Sequence, residues 1–333
     1  MHVEIKTSDT KPLRSTFTHL AARFGDKPAS RYQEATYDIQ EVENFHYRPL
    51  WQADKEIFDA SRTAIAMADW YALKDPRQFF YMSYTTTRAH QQEVAEAQFD
   101  YFDKRGLLAT LSDGLRERVA AALLPLRHYE WGANMNNSAI TGWAYGAALT
   151  NATMFATMDR LGLAQLLSRI GLLIDGNLGT SLAAAKQQWL EDAAWQPLRS
   201  AVEHLFIVDD WFELFVAQNL VHDGLLYPMV YQRFEQALAA AGAPAFGMLL
   251  TFPNEWHAET APWVDAVCKT AAAESPANRA LLAGWAARHR ATALAALAPL
   301  AERLFGTAAG RQTLDEVDAA FGMRLQRLGL VAA

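Results

Sequence analysis

The chain has 333 residues, 51% of them hydrophobic and 11% aromatic, which suffices for a large core and excludes disorder over most of its length. A formal net charge of −7 gives no electrostatic case for a nucleic-acid partner. The single cysteine, Cys268, excludes an internal disulfide and a cysteine metal cluster, and reads as a small buried apolar group.

The opening MHVEIKTSDTKPLRS lacks the apolar run of a secretory leader. No stretch of about eighteen uncharged apolar residues follows, so no membrane span and a cytoplasmic location are expected. Residues 1 to about 50 mix aromatics, proline and charge without a helical period. They read as an extended arm whose Phe24, Tyr32, Tyr37, Phe45 and Tyr47, with Trp51 just beyond, need a surface to bury against, the chain's own body or a partner's.

From Asp54 the pattern turns helical, with Ile57, Ala60, Ala64, Met67 and Tyr71 at intervals of three or four. Asp75 and Pro76 suit the start of a second helix reaching Lys104, and Gly106 follows as a stop. A long helical region follows, with a break or kink at Pro125. A turn around Gly176 and Gly179 separates it from helices over 181–205 and 207–241, the latter kinked at Pro228. A segment broken by Pro253 and Pro262 leads to a helix over about 277–306. A Thr313/Glu316 capping box opens the last helix. With no alternating strand pattern, the class is mainly α, a long-helix bundle. The division is an arm (1–50), a body (51–310) and a C-terminal helix (311–333) packed on the body or a partner.

Catalytic motifs are absent. There is no Gly-x-Ser-x-Gly and no phosphate loop, and Ser181 in GTSLA reads as a helix cap. A di-iron bundle site takes one Glu from each of two helices and a Glu-x-x-His from each of two others. Among the nine histidines only Glu43 and His46 keep that order, in the arm and just before Pro49, where a helix is disfavoured. Two strings show the spacing without the histidine: EWGA (Glu130, Ala133) and EWHA (Glu255, Ala258). Each is either a coincidence in an Ala-rich chain or the outline of a lost site. Asn134, Asn136, Asn137 and Ser138 lie beside the first. Acids at 209, 210 and 213 suit the first turn of a helix. Asn219 and His222 could satisfy one another, and Arg88 reads as a paired or interface arginine.

The strings FGDKPASRYQEATYDI, NFHYRPLW, DPRQFFY, LRHYEWGANMNNS, MDRLG, LSRIGLLIDG, DWFELFVAQNLV and YQRF together resemble the β, non-metal subunit of bacterial multicomponent phenol hydroxylases, within the soluble di-iron monooxygenases. The match runs in order from about Val3 to Leu330. The resemblance implies a ferritin-like core with no catalytic residue, cofactor or metal in this chain. It places the di-iron centre and the choice of substrate in a partner α subunit. It also implies a dimer of three-subunit protomers with a small γ subunit, served by a reductase and a regulatory protein. On that view Glu130, Ala133, Glu255 and Ala258 mark degenerate ligand positions. Phe24, Tyr32, Tyr37, Phe45, Tyr47, Trp51, Arg77, Phe79 and Arg88 are the interface candidates, with 209–222 as a secondary one.

Overall fold

The computed structural model describes residues 18–40, apart from 26 and 28, and 52–331. Among these there is no strand, and no helix is long and apolar enough to cross a membrane. Two short helices, α1 (Thr18–Phe24) and α2 (Arg31–Thr36), replace the unstructured arm of the sequence reading. The second starts with a capping box: Ser30 Oγ accepts from the Gln33 N–H at 3.2 Å, and Gln33 Oε1 accepts from the Ser30 N–H at 2.8 Å.

The helix expected from Asp54 does not form. Asp59 and Asp69 cap only single 3-10 turns, through the Ser61 and Tyr71 N–H groups. Distant side chains take other donors of this stretch. Asp210 accepts from the Ala64 N–H, Asn278 from Ala66 and Glu274 from Ala68. A backbone whose donors are claimed this way has no use for i→i−4 bonding. The next helix starts later than Asp75, because Asp75 caps a turn through the Arg77 N–H and Gln78 turns left-handed at φ 52°. It begins at Tyr81, where Ser83 Oγ accepts from the Phe80 N–H at 3.0 Å.

That helix is α3 (Tyr81–Lys104). Then follow α4 (Asp113–Leu123), α5 (Leu126–Trp143) and α6 (Ala147–Ile174), with Pro125 at the first break. The second break is at Gly146, whose φ of +95° suits glycine alone and whose backbone lies against Trp70. The single helix expected over 181–205 is two, α7 (Thr180–Glu191) and α8 (Gln196–Leu205). Asp192 caps the turn between them by accepting from the Ala194 N–H.

One continuous rod then runs through α9 (Trp211–Phe215), a π-helical stretch (Val216–His222), α10 (Asp223–Tyr227), a second π-helical stretch (Pro228–Arg233) and α11 (Phe234–Ala240). Pro228 opens the second stretch, where the widened turn absorbs the missing donor. The last three helices are α12 (Thr251–Glu274), α13 (Pro276–Phe305) and α14 (Thr307–Leu328). α12 is unbroken. Pro253 lies in its first turn, and Pro262 frees only the carbonyl of Ala258, an exposed residue. Thr313 lies inside α14, which starts directly after Gly306, so the expected capping box does not open it.

α5 packs along α6, and α13 lies against α14, α8, α12 and the first π stretch. The core is continuous across these helices, with Trp195, Trp211, Trp256 and Trp263 wholly buried. Cys268 is buried, and burial pushes its thiol up to about 12. At Gly310 the backbones of α14 and α13 nearly touch, and an added Cβ would lie 2.5 Å from the Ala301 carbonyl oxygen. Gly310→Ala is expected to destabilise the protein by about 1–3 kcal/mol in denaturant unfolding. Gly284→Ala, in open space on α13, should stabilise it by about 1 kcal/mol or less.

Candidate functional site

The polar run of α5 points into the bundle. Glu130 and Arg160 are both 0% exposed, and Asp223 is 3% exposed. A charge so placed costs several kcal/mol unless it is paired and fully hydrogen-bonded. Arg160, on α6, meets that demand. Its Nη1 donates to Glu130 Oε2 at 3.0 Å and to the Tyr227 hydroxyl at 3.2 Å, and its Nη2 donates to Asp223 Oδ2. The guanidinium lies over the Trp256 ring, 4.4 Å from its centroid. The remaining carboxylate oxygens are also served. Tyr227 donates to Glu130 Oε1 at 2.7 Å, and Tyr129 and Gln218 donate to Asp223 Oδ1 at 2.7 and 3.0 Å. Asn136 extends the chain by donating to Gln218 Oε1 at 2.9 Å.

Burial pushes the Glu130 carboxyl up to about 7, against the opposing pull of Arg160. Burial likewise raises the Tyr129, Tyr227 and Tyr231 hydroxyls well above the ordinary range, so all three stay neutral. The site therefore holds one fixed cation between two acids, one of which can carry a proton. It presents no activated nucleophile.

A second ionic group lies behind the first. Arg88 grips Asp159 with two bonds of 2.8 Å and Glu259 at 2.9 and 3.0 Å. Arg77 joins through Asp75 and Glu259 and lies over the rings of Phe79 and Trp263. Trp256 connects the two groups, since its indole N–H donates to Asp159 Oδ2 at 2.9 Å while its face carries Arg160.

Several candidates take different places from those expected. Glu255 and Ala258 are exposed, because α12 turns the neighbouring Trp256 inward instead, so EWHA does not face the site. Glu130 and Ala133 are buried, but Glu130 acts as a lone carboxylate and Ala133 only packs. Phe79 is buried, and the largely buried Arg77 and Arg88 are paired within the chain in the second ionic group. Tyr32, Tyr37 and the half-buried Phe24 pack with Leu20, Tyr71, Ala147 and Ala148 of the chain itself. Arg23 ties that corner to Asp38 and Asp69. Phe45, Tyr47 and Trp51, with Glu43 and His46, lie outside the described residues. Ser138 is exposed and takes no part in the network, whereas Asn134 donates to the Thr157 carbonyl. Asn219 pairs with Asn137 rather than His222. Ser181 lies inside the first turn of α7, where its N–H and hydroxyl donate to Asp175 at the end of α6, rather than capping the helix. Arg160, Asp223 and Tyr227 were missed. The signal for Arg160 was the Asp159-Arg160 pair in the largely apolar NATMFATMDRLGLAQLL, whereas no spacing tied Asp223 or Tyr227 to it.

A sequence model of the methane/phenol/alkene hydroxylase family matches residues 51–275. The chain belongs to that family. It is 51% identical to the oxygenase component DmpL of phenol 2-monooxygenase from Pseudomonas sp. (strain CF600), covering 99% of this chain and 98% of that protein. It is similar to a chain of the xenon-pressurised phenol hydroxylase from Pseudomonas sp. OX1, with a TM-score of 0.90 and 45% identity over 98% of each chain. It is 25% identical to the β subunit of the hydroxylase component of the toluene-4-monooxygenase system from Ectopseudomonas mendocina, over 71% of this chain and 70% of that subunit. The ferritin-like long-helix bundle expected for the family is the fold observed.

A di-iron centre of the hydroxylase-family type does not fit these residues. Two lone carboxylates remain, Glu130 on α5 and Asp223 on α10. Their neighbours α6 and α12 would have to supply Glu-x-x-His pairs. Instead, α6 brings Arg160 followed three residues on by the buried Leu163, and α12 brings His257, stacked on Tyr227, followed by Thr260. Among the described residues no group of three or more His, Cys, Asp or Glu is placed to hold a metal ion.

Arg160→Met leaves two acids buried without a cation. It is expected to cost about 3–5 kcal/mol in urea unfolding, with a smaller loss at acid pH, where the carboxyls take protons. Burial holds His222 down to about 3, and its Nε2 has no partner among the described residues. The unfolded chain protonates this residue below about 6.5 while the folded chain does not, so its contribution is lost progressively as pH falls toward 3. His222→Leu should flatten the acid limb of the stability profile by up to about 1.4 kcal/mol per pH unit between about pH 6 and 4. An unchanged slope would refute the assignment.

Proposed function

We propose that this chain is a non-catalytic, structural subunit of the oxygenase component of a multicomponent phenol or arene monooxygenase. On this reading the di-iron centre belongs to a partner catalytic subunit, and a small third subunit, a reductase and a regulatory protein complete the system. The observation that carries the reading is Arg160. A charged guanidinium, hydrogen-bonded to both acids, stands where oxygen-activating metals would need open coordination positions. The names of the relatives agree, since they are oxygenase and hydroxylase components of phenol and toluene monooxygenases, one of them a β subunit.

A support subunit must offer a surface to its partner, and a set of exposed apolar side chains supports one. Met154, Met158 and Leu161 on α6, Trp131 and Met135 on α5, and Tyr81 and Met82 at the start of α3 are all exposed. α5 and α6 pack along one another, and these five side chains fall about 100–160° round their helices from Glu130 and Arg160. Exposed apolar side chains grouped on neighbouring helices favour a protein contact. It is a better interface candidate than the arm aromatics around Tyr32 and Tyr37, which the chain buries itself. Deleting residues 1–50 would uncover Tyr71 and Ala147 and so confuse folding with docking.

The test is co-expression with the catalytic subunit encoded in the same system. The wild-type chain should co-elute with it, and iron should follow the catalytic chain alone. Met158→Glu combined with Leu161→Glu should abolish co-elution while moving the unfolding free energy of this chain by less than about 0.5 kcal/mol. Stoichiometric iron in the separated wild-type chain would overturn the non-catalytic reading, and co-elution of the double variant would overturn the docking face.

A further inference from the structure

The chemistry around Arg160 is that of a cation site already occupied. The groups that converge on its guanidinium are oxygen donors: both carboxylates and the Tyr227 hydroxyl, with the Tyr129 hydroxyl one bond further out on Asp223. Glu130 and Asp223 reach two terminal nitrogens joined through a single carbon, so the acids converge on a space about one ion wide. All-oxygen sets containing two carboxylates suit hard divalent cations such as magnesium or manganese. The fit of the arginine is also incomplete, because its Nε is buried with no hydrogen-bond partner among the described residues.

We propose that Arg160 is a resident cation filling a carboxylate site that, without its side chain, takes a divalent metal ion, and that it thereby closes this chain to metal. The side chain supplies the positive charge that the bundle requires and denies the site to any ion drawn from the pool that loads a metal-bearing partner. The metal-bearing partner is that of the proposed function, while the site is this chain's own, so manganese counted on this chain and co-elution with the partner fail separately.

The experiment uses the full chain, co-expressed with its partner, dialysed against manganese(II) and then freed of excess ion. Manganese is counted by elemental analysis, which separates it from iron held elsewhere in the complex. Arg160→Ala should retain about one manganese per chain more than wild type, and its thermal midpoint should rise with manganese while that of wild type does not move. If the variant folds poorly on its own, manganese supplied during expression should restore it. The triple variant R160A/E130Q/D223N keeps the vacated space but loses the charges, and it should neither retain manganese nor respond to it. An R160A chain that neither retains manganese nor is restored by it, folded or not, overturns the proposal. Equal retention by the triple variant or by wild type overturns it as well.

Discussion

A guanidinium without solvent contact, held between two buried acids, is the constraint on which this bundle depends. Desolvating three charges is so costly that every remaining donor and acceptor around them has to be answered. That requirement explains residues that apolar packing would not select. Positions 129 and 227 are tyrosines whose hydroxyls complete Asp223 and Glu130, and position 218 is a glutamine that bridges Tyr129, Asp223 and Asn136. The acids come from α5 and α10, the cation from α6 and the aromatic floor from α12. Four helices are thus fixed to one point, and none can slide or rotate without breaking a charge-assisted bond.

The adjacent residues Asp159 and Arg160 spread this constraint outward. They leave the same helix in different directions, one toward Arg88 and the other toward Glu130, and Trp256 contacts both. Through Arg88, Glu259 and Arg77 the second ionic group reaches Asp75, whose own N–H donates to the Tyr32 hydroxyl. A chain of polar contacts therefore runs from the bundle centre to the N-terminal helices. The absence of a regular helix over 52–80 follows the same logic. That segment fills the space between bundle and N-terminal corner, and its donors are satisfied by Asp210, Asn278 and Glu274 on the far side.

Periodicity made the long helices legible, along with the break at Pro125 and the stop at Gly106, because these depend on neighbours three or four residues apart. The polar stretch from Glu130 to Asn137 was also legible as buried polarity. What joined to it was not. Glu130 and Arg160 are thirty residues apart, and Glu130 and Tyr227 ninety-seven. Spacing within one helix says which side chains share a face but not which helix that face meets. The same limit misplaced Glu255, where one step along α12 puts Trp256 rather than the acid inside. The segment from Asp54 failed for a related reason, since its helical spacing was real but its backbone donors had better acceptors elsewhere.

The two π-helical stretches on either side of Asp223 and Tyr227 carry a consequence for how this sequence can vary in length. Each wide turn stores an extra residue relative to an α-helix. Losing one residue from Val216–His222 would leave a regular, well-bonded helix, and by local criteria a better one. Because the wide turn spreads its extra residue over about the same rotation as the α-turn it replaces, such a loss would leave Asp223 and Tyr227 still facing Arg160. The same loss from a regular part of the rod would rotate everything beyond it by about 100° and break the buried charge contacts. Changes of length in this rod are therefore tolerated at the wide turns and forbidden elsewhere, by a partner on another helix rather than by the rod's own backbone.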